Sequence, residues 1–204
     1  MNPRHSLRKV FGLYEHELNA WLEAALSLTN RVIDVGANDG YFTFGCAAAF
    51  RRRQTRGEII AFEPEEDHFQ SLSTSLAAQP RGPIEFNLIR SFVGDRDGEH
   101  FRTLDSLRCK VNAPDDRRRT LIKIDVEGAE EEVLAGAVSW LQPSNFFLIE
   151  VHKEEFLESI PRLFGRHGLK LERIDQQPLK FIGREVRDEQ NWWLVSSLGR
   201  SFDE

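Results

Sequence analysis

Apolar and polar positions along this chain follow two periods, and the switches between them lay out its elements. Residues 11–28 carry Leu18, Trp21, Leu22, Ala25 and Leu28 at three- and four-residue steps, which predicts an amphipathic helix. Val32 to Val35 is a short β-branched run broken by Asp34, and Tyr41 to Phe50 is apolar enough for a buried helix. A second strand follows over Glu58–Phe62, a helix over 65–78, and a third strand over Ile84–Ile89. Leu121–Glu127, broken by Gly128, and Phe146–His152 are further strands, with a helix over Ala129–Ala137 between them and another over Phe156–His167 stopped by Gly168. Leu169–Ile174 and Trp192–Ser196 close the series as two final strands, with Trp192 and Trp193 on opposite faces. Alternating strands and helices predict an α/β fold with a mostly parallel sheet, in which the strand from Leu121 is central and buried on both faces. Phe92–Gly98 reads as a short hairpin turning at Asp97-Gly98, and residues 112–119 as a polar connector.

Composition narrows the class without choosing a function. The 204 residues suit one domain, an N-terminal helical segment over 1–29 followed by sheet and helices over 30–204. A net charge of -6 gives no general attraction to nucleic acid or to an anionic membrane. Two cysteines, Cys46 and Cys109, make no disulfide framework, and no apolar run reaches the length of a membrane span. The start of the chain lacks the apolar core of a signal peptide, so the expectation is a soluble cytoplasmic protein. His5, His16, His68, His100 and His167 show no ligand spacing, and Arg51-Arg52-Arg53 falls where cations suit a helix C-terminus.

The chemistry begins where the first strand meets its helix. Asp34-Val35-Gly36-Ala37-Asn38-Asp39-Gly40 is a glycine-bearing turn that tolerates positive φ and lets a ligand approach the backbone closely. The Gly-x-Gly-x-x-Gly dinucleotide pattern fails here, because Asn38 and Tyr41 occupy its second and third glycine positions. Glu63-Pro64 ends the second strand about twenty residues on, where an acid in nucleotide-binding α/β folds accepts hydrogen bonds from ribose hydroxyls. Asp34, Gly36, Ala37, Asn38, Gly40, Glu63 and Pro64 are therefore the candidate cofactor residues.

A second charged group lies further along. Lys123, Asp125 and Glu127 are two residues apart and share a face if their strand persists, and Glu150 and His152 repeat the spacing at the end of the next strand. Buried charges in a central sheet require partners. Neighbouring strands would bring Asp125, Glu127, Glu150 and His152 to one rim, at the carboxyl end where open α/β sheets bind ligands. Either a carboxylate or His152 takes a proton from an acceptor hydroxyl, or the group holds a divalent metal ion that acidifies it. An ion-paired strand end is the structural alternative.

Taken together, Asp34-Val-Gly-Ala-Asn-Asp-Gly-Tyr41, Ala61-Phe-Glu-Pro64, Thr103-Leu-Asp-Ser-Leu107, Leu121-Ile-Lys-Ile-Asp-Val-Glu-Gly-Ala-Glu130 and Glu150-Val-His152 resemble the FkbM family of methyltransferases. The resemblance implies a Rossmann-like class I methyltransferase fold, a seven-stranded sheet with helices on both faces and an antiparallel strand near the C-terminus. It implies S-adenosylmethionine as cofactor, with Asp125 also near it, and a hydroxyl of a sugar or secondary metabolite as small-molecule acceptor. Only a few residues separate Gly98 from Thr103, where family members often carry a longer, acceptor-shaping segment. A nicotinamide oxidoreductase and a non-catalytic cofactor-binding module are the other classes; the broken glycine pattern disfavours the first and the charged rim the second.

Overall fold

Seven strands form one sheet in the order β3-β2-β1-β6-β7-β9-β8 in a computed structural model that describes residues 15–111, 118–175 and 192–198. The strands are β1 (Arg31–Val35), β2 (Gly57–Phe62), β3 (Ile84–Ile89), β6 (Thr120–Ile124), β7 (Phe146–Val151), β8 (Leu171–Ile174) and β9 (Trp192–Ser196). All neighbours pair in parallel except β9, which runs antiparallel to both β7 and β8. The helices are α1 (Asn19–Leu28), α2 (Tyr41–Arg52), α3 (Glu66–Ala77), α4 (Leu104–Val111), α5 (Glu130–Ala135) and α6 (Phe156–Arg166).

The period of two along the strands sorts the core into two layers. Ile33, Val35, Ile122, Ile124, Ile149 and Val151 pack with Leu104, Val133, Ile160 and Phe164 from α4, α5 and α6. Val32, Leu121 and Leu148 face the other way, against Trp21 and Ala25 of α1 and Cys46 and Phe50 of α2. Asp34 and Lys123 share the parity of Val32 and Leu121 and are direct partners across β1 and β6. Both lie in the α2-side layer. Trp193 is buried there at 1% exposure, while Trp192 packs partly buried on the opposite layer. Trp21 ties α1 to the last strand by donating from Nε1 to the Ser196 carbonyl at 2.9 Å.

Several local expectations shift. The first helix is regular only from Asn19, with a 3-10 turn over His16–Leu18 ahead of it; its expected residues 11–14 lie outside the described residues, as do His5 and connector residues 112–117. Phe92–Gly98 is not a hairpin. Instead β4 (Phe92–Val93) pairs in parallel with β5 (Phe101–Arg102), and the Asp97 carboxylate accepts from the Thr103 N–H at 2.8 Å and the Ser106 hydroxyl at 2.9 Å. Those bonds redirect the chain into α4 where a tight turn would have reversed it. The helix expected over 129–137 is shorter, ending as α5 at Ala135, and a separate 3-10 turn follows over Val138–Trp140. At the end of α2, Arg51 donates to Gln79 and Arg52 to Glu23, both at 2.9 Å, and Arg53 also pairs with Glu23.

Candidate active site

The turn after β1 is built around one close approach. Gly36 has φ +79°, and a Cβ there would overlap the backbone carbonyl oxygen of Asp125, so glycine is needed because the β1 and β6 loops touch. The Gly36 and Ala37 N–H groups donate to the Phe62 carbonyl at 3.1 and 2.9 Å, binding this turn to the end of β2. Asn38, left-handed at φ 50°, donates its N–H to Glu63 Oε2 at 2.7 Å. Glu63 Oε1 accepts from the Glu65 N–H at 2.9 Å, just past Pro64. Each Glu63 oxygen thus accepts one backbone N–H and keeps lone-pair capacity. That pair of acceptor oxygens fits the hydroxyls of a ribose diol at the end of β2.

Asp34 occupies a different place from the other turn residues. It is fully buried, accepting from the Thr43 hydroxyl at 2.5 Å and lying 3.5 Å from Lys123 Nζ. Burial raises its carboxyl pKa, with Lys123 and Thr43 pulling the other way. Asp34 braces the turn from beneath rather than lining its surface.

Lys123 connects this turn to the second charged group. Its ammonium donates to the Gly36 carbonyl at 3.2 Å and to Asp125 Oδ2 at 3.0 Å, and sits 5.6 Å over the Phe42 ring. Burial works against its charge, but Asp125 and Asp34 outweigh it and hold Lys123 protonated, its pKa raised. Burial pushes the Asp125 carboxyl up, yet Lys123, His152 and a hydrogen bond with Glu150 prevail and lower it. Asp125 is therefore an anion at neutral pH.

The rim closes on His152. Its Nε2 lies 3.9 Å from Asp125 Oδ1 and 3.5 Å from Glu127 Oε2, and its Nδ1 meets Glu130 Oε1 at 2.6 Å. Burial disfavours the imidazolium, but the Glu130 hydrogen bond and the charges of Glu150, Glu130 and Glu127 raise the pKa to about 8. Asp125, Glu150 and His152 each place one ligand atom within 4.8 Å of the others, so these three could hold a divalent ion. Glu127 does not share the Lys123–Asp125 face. The strand ends at Ile124, Glu127 turns left-handed at φ 51°, and its side chain is 89% exposed.

Two members escaped the sequence reading. Thr43, on α2, was hidden among apolar neighbours. Glu130 lay inside the most specific block but read as an ordinary helix acid; it is fully buried, whereas Glu131 and Glu132 are exposed. The signal was helical phase, because Glu130 shares its face with buried Val133 and Leu134 at steps of three and four.

A groove of about 420 Å³ opens between α1 and α2, lined by Glu15, Leu22, Tyr41, Phe42 and Cys46. Among the described residues no helix is long and apolar enough to cross a membrane.

Comparison with known proteins bears on the fold and the family likeness. A family model, the methyltransferase FkbM domain, matches residues 99–173. The hexuronic acid methyltransferase AglP of Haloferax volcanii is 28% identical over 176 residues, covering 76% of this chain and 70% of that one. These matches support the resemblance to the FkbM methyltransferases that the motifs carry. Asp125, Glu127, Glu130, Glu150 and His152 fall inside the matched residues, and the candidate cofactor turn lies before them. A methyltransferase FkbM from Methylobacillus flagellatus superposes with TM-score 0.60 at 16% identity, covering 83% of this chain. The chain spans 44% of that protein's length. An S-adenosylmethionine-dependent methyltransferase from Archaeoglobus fulgidus superposes with TM-score 0.53 at 15% identity over 96% of this chain and 99% of its own. At these identities the likeness is one of fold, the class I methyltransferase sheet.

Proposed function

We propose that this chain is an S-adenosylmethionine-dependent O-methyltransferase whose acceptor is a hydroxyl of a sugar or a similar small molecule. The observation that carries this reading is the junction of the two charged groups: Lys123 bonds both the Gly36 carbonyl and Asp125, so the cofactor turn and the His152 rim form one site. Support for a sugar comes from the Haloferax volcanii relative, a hexuronic acid methyltransferase.

The cofactor supplies an electrophilic methyl group on a sulfonium, so the protein's work is positioning and removal of one proton. Gly36, Ala37, Asn38 and Gly40 frame the turn, Glu63 offers its free lone pairs to the ribose beside Pro64, and Asp34 supports the turn through Thr43 and Lys123. Asp125, held ionised by Lys123, accepts a hydrogen bond from the acceptor hydroxyl and aims its oxygen. His152, in its neutral form, takes the proton at Nε2.

A second reading has one observation of its own. The Asp125, Glu150 and His152 atoms within 4.8 Å of one another would bind a divalent ion that acidifies the same hydroxyl.

Titration calorimetry with S-adenosylhomocysteine, with and without magnesium or manganese, tests both readings. Micromolar binding supports the cofactor, and tightening by metal favours the ion. No binding under any condition removes the methyltransferase reading. Asp125→Asn should lower kcat by roughly 100-fold or more with S-adenosylhomocysteine affinity within about two-fold of the wild type. Full turnover in that variant sinks the role given to Asp125.

A further inference from the structure

Among the rim acids, Glu130 is the deepest and has no part in the chemistry above. It stands on the first turn of α5, fully buried, with Oε1 accepting from the Gly128 N–H at 2.9 Å and facing His152 Nδ1 at 2.6 Å. Its other oxygen, Oε2, is buried with no hydrogen-bond partner among the described residues. A carboxyl group in such a place costs stability, so its contacts must return something that an apolar residue could not.

What they return is the orientation of one ring. Oε1 already accepts the Gly128 N–H, and as an acceptor toward His152 as well it leaves the hydrogen on Nδ1. That leaves Nε2 facing Asp125 at 3.9 Å and Glu127 at 3.5 Å. The same Glu130 oxygen anchors Gly128, directly after the residue that presents the Glu127 carboxylate. One buried acid thus sets both the imidazole of β7 and the turn that follows β6.

We propose that Glu130 is a positioning residue that holds His152 in its Nδ1–H tautomer with Nε2 turned to the acceptor. The inference rests on the methyl-transfer reading for its kinetic consequence, though the tautomer itself does not. During transfer the acceptor O–H bond breaks and the oxygen pair forms the bond to the methyl carbon. The sulfur keeps the electrons of the broken S–CH₃ bond, and the proton passes to His152 Nε2. The imidazolium so formed keeps its Nδ1–H bond to Glu130, which stabilises it as a buried carboxylate partner does for a histidine base.

The experiment combines ring ¹⁵N NMR, with His152 assigned by His152→Gln, and kinetics of methyl transfer to glucuronic acid. At about pH 10, where His152 with its pKa of about 8 is neutral, wild type should show the Nδ1–H tautomer. Glu130→Leu should scatter the His152 signal between tautomers and lower kcat about 100-fold, with acceptor KM and S-adenosylhomocysteine Kd within about two-fold. Glu130→Gln keeps an acceptor oxygen without the charge, so it should retain the tautomer and lose about ten-fold in kcat. Wild-type ring shifts in Glu130→Leu, or wild-type kcat in Glu130→Gln, overturn the proposal. The Glu130→Gln arm decides if Glu130→Leu does not fold. Should wild type transfer no methyl group to glucuronic acid, the proposed acceptor class fails, and the tautomer measurement still decides what Glu130 does.

Discussion

At the scale of single residues, the site depends on what lies one atom behind each functional group. Gly36 could be read as a position where a ligand approaches the backbone, but the nearest neighbour is the Asp125 carbonyl. Gly36→Ala therefore strains a left-handed residue and forces the β1 and β6 loops apart at once. We expect a loss of about 2–4 kcal/mol, seen as a lower urea midpoint, together with weakened S-adenosylhomocysteine binding. Cys46 gives a second residue-scale expectation. Its thiol is 3% exposed, and burial first, then the nearby Asp34 charge, lifts its pKa well above the usual range, with Lys123 opposing. A raised thiol pKa means less thiolate at any given pH, and the thiolate is the nucleophile. In a Cys109→Ser background the native protein should therefore resist thiol reagents at pH 8.5 and react only on unfolding; rapid native labelling contradicts the burial described.

At the scale of elements, the Thr103-Leu-Asp-Ser-Leu107 block turns out to be joinery. Thr103 Oγ1 accepts from the Ser106 N–H at 3.0 Å and so caps α4, while Asp105 Oδ1 accepts the Ser139 N–H at 2.9 Å and its hydroxyl at 2.5 Å. The block secures α4 to the 3-10 turn after α5. Thr103→Ala should cost about 1 kcal/mol in chemical denaturation, and Thr103→Ser should restore most of it. Unchanged stability in Thr103→Ala counts against the cap.

At the scale of the whole molecule, the order β3-β2-β1-β6-β7 places a reversal of winding between β1 and β6, where open α/β sheets bind ligands. The Asp34–Lys123 pairing sits on that line, and both candidate subsites open at the carboxyl ends of the flanking strands. A ligand bound there couples to the fold as a unit. S-adenosylhomocysteine at 100 times its Kd should add about 2.7 kcal/mol, or roughly 5–11 °C in Tm. A rise with NAD and none with S-adenosylhomocysteine would revive the oxidoreductase class.

The late antiparallel strand was implied only by the family resemblance; the sequence by itself determined the strand–helix alternation, the mostly parallel sheet that it predicts, and the location of the charged groups at strand ends. These follow from local periodicity, which each segment carries within itself. It could not say that Asp34 lies beneath the turn, because facing Lys123 across β1 and β6 is a matter of register between distant segments. Nor could it say that Glu127 leaves the face of Asp125, since that depends on the strand ending at Ile124. The loss of the hairpin at Asp97-Gly98 has a similar cause: hydrogen bonds from Thr103 and Ser106 compete with the turn that the dipeptide favours locally. Glu130 is the sharpest case. Helical phase turned it inward, but only the packing of α5 beside the end of β7 brought it within 2.6 Å of His152 and made a helix acid part of the site.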